Sequence, residues 1–373
     1  MTEKPMRVLH VVPNMQQGGL ENYIMNMYRN IDRKKVQFDF LEHYSEDRFF
    51  DEEIRHLGGS IYRIPYMENK KALREYIAQL DAFFAEHRYH VVHGHMATTA
   101  CFYLKAAEKN GVEARLVHAH EDSFLKDPRG IVRMLLIKQA WRHANHLLAC
   151  SKTAGRYYYG DRPFTMMKNA INSGKFSFDK ERRDEERSEL GVNDATLVIG
   201  HIGRFCNQKN HRFLVELFAE VIKRYPNSML VMVGTGETKN DVISQVEELG
   251  ISEHVRFPPP TGNPEYVYDA MDVFVLPSFF EGLPLTGIEA QCNGLPCVFS
   301  DSVTREVQIT DRCHFISLEK SSREWAELVI DQALASRALN RQQGRDAIIH
   351  AGYDAQRNAE KMQAFYLSVG AEK

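Results

Sequence analysis

The sequence predicts an α/β protein built of two doubly wound domains. Short apolar, β-rich runs alternate with helix-length amphipathic stretches from end to end. The alternation breaks once, around residues 172–189, and then restarts. A length of 373 residues exceeds one ordinary domain and suits two of under about 200.

Met6–Val12 (MRVLHVV) reads as a buried strand, followed by a loop with Gly18-Gly19 and a helix from about Leu20 to Asn30. Further strands are predicted at Val36–Leu41, Ser60–Pro65, His90–His93, Ala114–Ala119 and His146–Cys150, with helical patterns between them. Continuous apolar strands separated by helices indicate a parallel sheet covered on both faces. Asn172-Ser173-Gly174 and the wholly charged run Lys180–Arg187 (KERRDEER) mark the domain boundary. The first domain is therefore placed at residues 1–175 and the second at 176–354. Strands resume at Thr196–Gly203, Met229–Val233, Val255–Phe257, Val273–Pro277 and Pro296–Ser300, and Asp354–Gly370 reads as a last helix. Ligands of such sheets collect at the carboxyl ends of the strands, so function is sought in the strand-to-helix loops.

Composition excludes several classes. With 43% hydrophobic and 26% charged residues the chain is globular rather than disordered. A formal net charge of −3 gives no indication of nucleic acid. No apolar run approaches the ~20 residues that span a bilayer. The start, Thr2-Glu3-Lys4-Pro5 and then an apolar strand, lacks the basic region and cleavage site of a secretory signal, so a cytoplasmic location is expected. The six cysteines, Cys101, Cys150, Cys206, Cys292, Cys297 and Cys313, include no C-x-x-C pair. They suit small core residues in a reducing compartment better than zinc ligands.

Four segments carry chemistry. Gly203–Asn210 (GRFCNQKN) leaves a strand and enters a helix with apolar Phe213, Leu214, Leu217, Phe218, Val221 and Ile222 at helical spacing, Asn210 serving as N-cap. Arg204 and Lys209, beside free N–H groups, form either an anion site or two solvated charges on a loop rim. In Ser278–Gly294 (SFFEGLPLTGIEAQCNG), Gly282 and Pro284 place Glu281 in a loop and Glu289 in the next helix, with Pro284 in its first turn and Gly294 at its end. Carboxylates here suit sugar hydroxyls, although Thr286-x-x-Glu289 also matches a capping box. The histidines of Val91–His95 (VVHGH) and Val117–Glu121 (VHAHE), namely His93, His95, His118 and His120, lie where strands meet loops, as sugar contacts or as satisfied structural residues. Their spacing is not that of a zinc helix. Gly18-Gly19 permits close approach of backbone to phosphate, but the full dinucleotide fingerprint and the P-loop pattern are both missing from the sequence.

Taken together, these segments resemble glycosyltransferase family 4, retaining nucleotide-sugar transferases of the GT-B fold, and within it the capsular and exopolysaccharide subgroup. The resemblance runs over nearly the whole chain. Its E-x7-E motif is met by Glu281 and Glu289, its G-R–K segment by Gly203, Arg204 and Lys209, its glycine loop by Gly18-Gly19-Leu20-Glu21, and its hinge signature by Lys168–Asn172. Phe299–Leu318 with Glu324-Trp325-Ala326 resembles the polysaccharide subgroup. Pro284 stands where many members carry Gly, and Gly287, where they carry a larger apolar residue, is expected to loosen the helix start by up to about 1 kcal/mol.

The resemblance implies two Rossmann-like domains facing a central cleft, an acceptor domain first and a donor domain second, with residues 355–373 as a helix packing back on the first domain. It implies diphosphate binding by Arg204, Lys209, Gly18, Gly19, Leu285 and Thr286, and ribose binding by Glu289. The donor sugar would meet Glu281, Gly282, Leu283 and His120, with Glu281 and His120 at the reacting face. No metal or cofactor is expected, in keeping with a sequence that contains no Asp-x-Asp; the co-substrate would be a UDP-sugar and the acceptor a glycan or polyprenyl-linked saccharide. Phe124–His146 carries Lys126, Arg129, Arg133, Lys138 and Arg142 against Asp127, beside Ile131, Met134, Leu135, Leu136, Ile137 and Trp141. It reads as a peripheral contact with anionic membrane or as an ordinary helix packed on the sheet. The competing functions are a GT-B-fold UDP-sugar 2-epimerase and a non-catalytic sugar-nucleotide-binding subunit.

Overall fold

The computed structural model describes residues 4–16, 18–65, 70–96, 98–120, 128–260 and 263–370. The chain forms two compact units, Met1–Ala170 with Ala355–Lys373, and Ile171–Asp354. Strands of the first are β1 (Met6–Val11), β2 (Val36–Glu42), β3 (Ile61–Arg63), β4 (Val91–Gly94), β5 (Ala114–Ala119), β6 (His146–Ala149) and β7 (Thr165–Met166), in the order β3-β2-β1-β4-β5-β6-β7. The second unit has β8 (Leu197–Ile202), β9 (Ser228–Val233), β10 (Val255–Arg256), β11 (Val273–Leu276), β12 (Cys297–Ser300) and β13 (Cys313–Ile316), in the order β10-β9-β8-β11-β12-β13. Every pairing within these sheets is parallel.

Both sheets grow outward from their first strand in one direction and then reverse. The reversal lies between β1 and β4 in the first unit and between β8 and β11 in the second. Loops leaving these neighbouring strands pass to opposite faces, which opens a crevice at their carboxyl ends. The sequence motifs sit on those loops.

Strand alternation fills both faces of each sheet. In the first unit Val8, Phe38 and Phe40 pack with Tyr28 and Tyr366, while Leu9, Val11 and Val92 pack with Tyr103 and Tyr159. β2 is buried along its whole length although it contains Asp39. That carboxylate is satisfied by Arg7, by the Ser60 N–H at 2.7 Å and by the Tyr89 hydroxyl at 3.0 Å. The C-terminal helix Ala355–Val369 belongs to this unit, burying Ala359, Met362 and Tyr366. In the second unit Leu197 and Ile199 pack with Phe218 and the wholly buried Trp325, and Val198 with Tyr268, Phe274 and Phe299 on the opposite face.

The charged run is not a linker. It forms the helix Lys180–Glu189, capped by the Asp179 side chain, inside the second unit. Arg183 and Arg187 turn inward from it. Arg187, 2% exposed, donates to the carbonyls of Ala270, Asn193 and Thr196 at 2.6–2.8 Å, and Arg183 reaches Asp272 at 2.7 Å. These guanidinium groups, with buried Arg341, satisfy the open carbonyls that end the helix Pro264–Ala270. Residues 171–173 also pair within the second unit, Ile171 donating to the Tyr353 carbonyl and Ser173 to Asp354.

The Arg187→Met variant keeps the bulk but removes the guanidinium donor from the Asn193 and Thr196 carbonyls and leaves the Ala270 carbonyl and Asp272 to Arg183. It is predicted to lower the stability of the second unit by about 3 kcal/mol in denaturant titration. Lys180→Ala, on the exposed side of the same helix, is predicted to change it little. Equal effects would show that the inward arginines do not hold this unit together.

Candidate active site

β8 runs into Gly203 and β11 into Ser278, one loop on each side of the strand-order reversal. The two loops are stitched together. Phe279 N–H donates to the Gln208 carbonyl at 2.9 Å, Gln208 Nε2 to the Phe280 carbonyl at 2.9 Å, and Asn210 Nδ2 to the Pro277 carbonyl at 3.2 Å. Lys209 Nζ lies 2.7 Å from Glu281 Oε1, with both side chains mostly buried. Sequence reading gave these two residues separate ligands; the structure makes them an ion pair.

Asn210 is a correction. It stands at the N-cap position of the helix His211–Arg224, but with φ 57° and ψ 44° its side chain makes no cap and binds Pro277 instead. A single 3-10 turn, Asn207–Lys209, precedes it and aims Lys209 toward Glu281. Arg204 does not join that pair. It is 73% exposed and meets Glu237 at 3.1 Å, so it is held by a surface contact that a ligand can displace. Beneath Lys209, His201 and His211 are both pushed down by burial first and by neighbouring charge second, His211 to about 4, so neither adds positive charge there.

Gly234 and Gly236, after β9, were not singled out from the sequence. A Cβ on Gly234 would stand 1.9 Å from the Gly203 carbonyl oxygen, and one on Gly236 2.1 Å from that of Phe205. The G-x-G pattern in Gly234-Thr235-Gly236 was the available signal for this close backbone approach.

The helix Leu285–Cys292 begins after Pro284 at the N-cap, with no side-chain cap. The expected capping box is therefore not formed: Glu289 is the fifth helical residue, and its Oε2 accepts from the Tyr268 hydroxyl at 2.8 Å. Burial raises the Glu289 carboxyl to about 7, against the opposing effects of Tyr268 and Lys175. Leu285 and Thr286 supply the open N–H groups of the first turn, and Thr286 Oγ1 is buried without a partner among the described residues. Gly282 is exposed and Leu283 packs on the core. Gly287 does not simply loosen the helix. An added Cβ would lie 3.0–3.2 Å from the Val307 and Phe299 side chains, so close packing explains the glycine.

The remaining predicted residues lie in the first unit. Gly18 is the N-cap of the helix Gly19–Asn30 with an extended backbone, and Gly19 has open space where a Cβ would go. His120 follows β5, and its ring packs with His95, His118 and Tyr23. His10, in the middle of the apolar run of β1, joins this cluster through His95 at 3.0 Å and was missed from the sequence. Of the basic stretch, residues 124–127 and the side chains of 128–133 lie outside the described residues. In the rest, Ile137 is buried and Leu136 packs on the core, while Leu135 is 58% exposed. Among the described residues no helix is long and apolar enough to cross a membrane.

Comparison with known proteins agrees over the whole chain. Residues 182–350 match the family model described as glycosyl transferases group 1, and residues 18–163 match that of the glycosyl transferase 4-like domain. The chain is 32% identical to EpsF of Bacillus subtilis, itself a candidate glycosyltransferase, over 100% of this chain and 99% of that one. It is 26% identical to the UDP-Gal:alpha-D-GlcNAc-diphosphoundecaprenol alpha-1,3-galactosyltransferase of Escherichia coli, over 57% of this chain and 58% of that one. Its fold matches HepE of Anabaena, solved in complex with UDP, with a TM-score of 0.79 at 15% identity, covering 97% of this chain and 100% of that one. With two doubly wound units, a full-length relative and a glycosyltransferase model matched in each half, the chain belongs to the group 1 glycosyltransferases of GT-B fold.

Proposed function

We propose that the protein is a retaining transferase of glycosyltransferase family 4 that moves a sugar from a UDP-sugar to a glycan or lipid-linked acceptor in capsular, exopolysaccharide or related surface-polysaccharide assembly. The observation that carries this reading is the joined pair of loops at the reversal of the second sheet, where Lys209, Glu281 and an open helix N-terminus converge with exposed Arg204 nearby. In the second unit a diphosphate suits Arg204, Lys209 and the N–H groups of Leu285 and Thr286; in the first, Gly18 and Gly19 suit close approach of backbone to phosphate. Ribose hydroxyls suit Glu289 and the donor sugar suits Glu281, Gly282 and Leu283; in the first unit His120 suits a sugar hydroxyl. HepE supports a uridine nucleotide, and the galactosyltransferase name supports an undecaprenol-linked acceptor.

In this mechanism the leaving diphosphate draws its charge stabilisation from Arg204, Lys209 and the helix N–H groups, with no metal required. The departing phosphate takes the acceptor proton on the face that it leaves, so configuration is retained. In this reading the protein works in the cytoplasm, on acceptors at the inner membrane surface.

Arg204→Ala is expected to cut transfer from a UDP-sugar by about a hundredfold or more with the fold intact, and Lys209→Ala by at least as much while also loosening the loops, because it strands Glu281. The same assay reads the product anomer by NMR. Near-normal turnover in both variants contradicts the diphosphate site, and an inverted product contradicts retention.

Glu289 sets the pH dependence of nucleotide binding. Ribose hydroxyls need its ionised form, and a carboxyl held at about 7 gains a proton as pH falls through neutrality. UDP affinity should therefore be full above pH 8 and fall by up to about tenfold per unit below pH 7. Glu289→Gln should bind UDP more weakly at pH 8 and lose this dependence. A wild-type affinity that stays flat from pH 8 to pH 6 removes Glu289 from the ribose site.

A further inference from the structure

Five histidines meet around the strand ends of the first unit, and their ring nitrogens form two separate chains. In one, the Tyr366 hydroxyl lies 2.6 Å from His93 Nδ1, and His93 Nε2 lies 3.2 Å from His118 Nδ1. In the other, His10 Nδ1 lies 3.0 Å from His95 Nε2, and His95 Nδ1 lies 2.9 Å from His120 Nε2. Burial drives all five below the ordinary histidine range, His10 and His120 to about 3. Each ring is thus neutral at pH 7 and carries one N–H.

Three neutral imidazoles joined by two hydrogen bonds have only two proton arrangements. If the donors point inward from His120, His10 keeps an N–H at Nε2 and His120 a lone pair at Nδ1. If they point outward from His10, then His10 Nε2 is a lone pair and His120 presents Nδ1–H. Both end atoms are buried without a partner among the described residues. His10 is fully buried and packed against the rings of Phe38 and Phe40. Either arrangement leaves one buried N–H unmet; at His10 it is walled in by the Phe38 and Phe40 rings, whereas His120 is only part-buried, so the outward arrangement is favoured. It moves the unmet donor to His120, just past the end of β5, where ligands of such sheets gather.

We propose that His95, backed by His10, is a positioning residue that fixes His120 as its Nδ1–H tautomer, so that a neutral donor is offered to an oxygen of the bound substrate. The tautomer follows from the two hydrogen bonds and the unequal burial of their ends; its use on the donor sugar rests on the function proposed above. Neither His95 nor His10 touches the substrate in this account. A neutral ring also avoids pairing with the diphosphate, which leaves the hydroxyls of the transferred sugar as its acceptors.

The test is two-bond 15N–1H NMR on histidine-labelled protein, with the His120 signals identified by their loss in His120→Gln. Wild type should show His120 protonated at Nδ1 and bare at Nε2. In His95→Phe, which keeps the bulk without a donor, His120 should shift to the other tautomer or a mixture. UDP-sugar affinity should fall about tenfold while UDP affinity is unchanged. His95→Asn, whose amide restores a donor near the Nδ1 position, should recover both. A wild-type His120 protonated at Nε2, or a tautomer unmoved in His95→Phe, overturns the proposal. So does one zinc ion per chain in the isolated protein, since His95, His118 and His120 also lie close enough to share a metal. The tautomer is read without ligand, so a wild type that binds no UDP-sugar counts against the donor reading and leaves the NMR result standing.

Discussion

Lys209 and Glu281 meet at 2.7 Å across the reversal of strand order in the second sheet, and the geometry of this site depends on that contact. The loops after β8 and β11 leave neighbouring strands for opposite faces, so nothing in the sheet itself holds their tips together. The ion pair and four loop-to-loop hydrogen bonds do so, the fourth from Gln208 Nε2 to Glu281 Oε2 at 3.3 Å. A mostly buried pair of this kind gains less in net stability than its distance suggests, because both groups lose water. Its value lies in fixed direction: a lysine and a carboxylate are held at one point beside an open helix N-terminus. In the proposed function, that places the cation before a diphosphate arrives and keeps the carboxylate on the sugar's side.

Charge is handled differently at the two sheet ends. The second unit keeps formal charges at its loops and, in His201 and His211, neutral rings beneath them. The first unit gathers five largely buried histidines, with no carboxylate in their hydrogen-bond chains among the described residues. Burying that many ionisable groups is tolerable only if they stay uncharged and bond to one another. Such a network fixes ring orientations and proton positions, which suits recognition of neutral hydroxyl groups. The Glu289 carboxyl lies between these cases, lifted to about 7 by burial yet bonded to Tyr268.

The central strands were legible because parallel strands covered on both faces leave long apolar runs, as in MRVLHVV and TLVIGHIG. The edges were not: β7 has two residues and carries no periodicity, and the predicted strand at Ser60–Pro65 narrows to Ile61–Arg63. The run KERRDEER looked like a break because its charges suggested water on every side, whereas its Arg183 and Arg187 point at the bare carbonyls of another helix. Glu281, Glu289, Arg204 and Lys209 were legible from their spacing after strands. The Lys209–Glu281 contact was not, since it depends on a pairing between loops 72 residues apart. His10 was hidden for the opposite reason: a single polar residue inside an apolar strand gives no sign of its partners, which come from β2 and from the loop after β4. Tyr268 was likewise out of reach, because its contact with Glu289 crosses 21 residues and two elements.

The claim on which the account rests is that the second unit's loops form a uridine diphosphate site that works without a metal. Calorimetric titration of the purified protein with UDP, GDP, ADP and CDP, each with and without a chelator, tests it directly. The account predicts selective binding of UDP that the chelator leaves unchanged. Binding of none of the four, or UDP binding that the chelator abolishes, would contradict it.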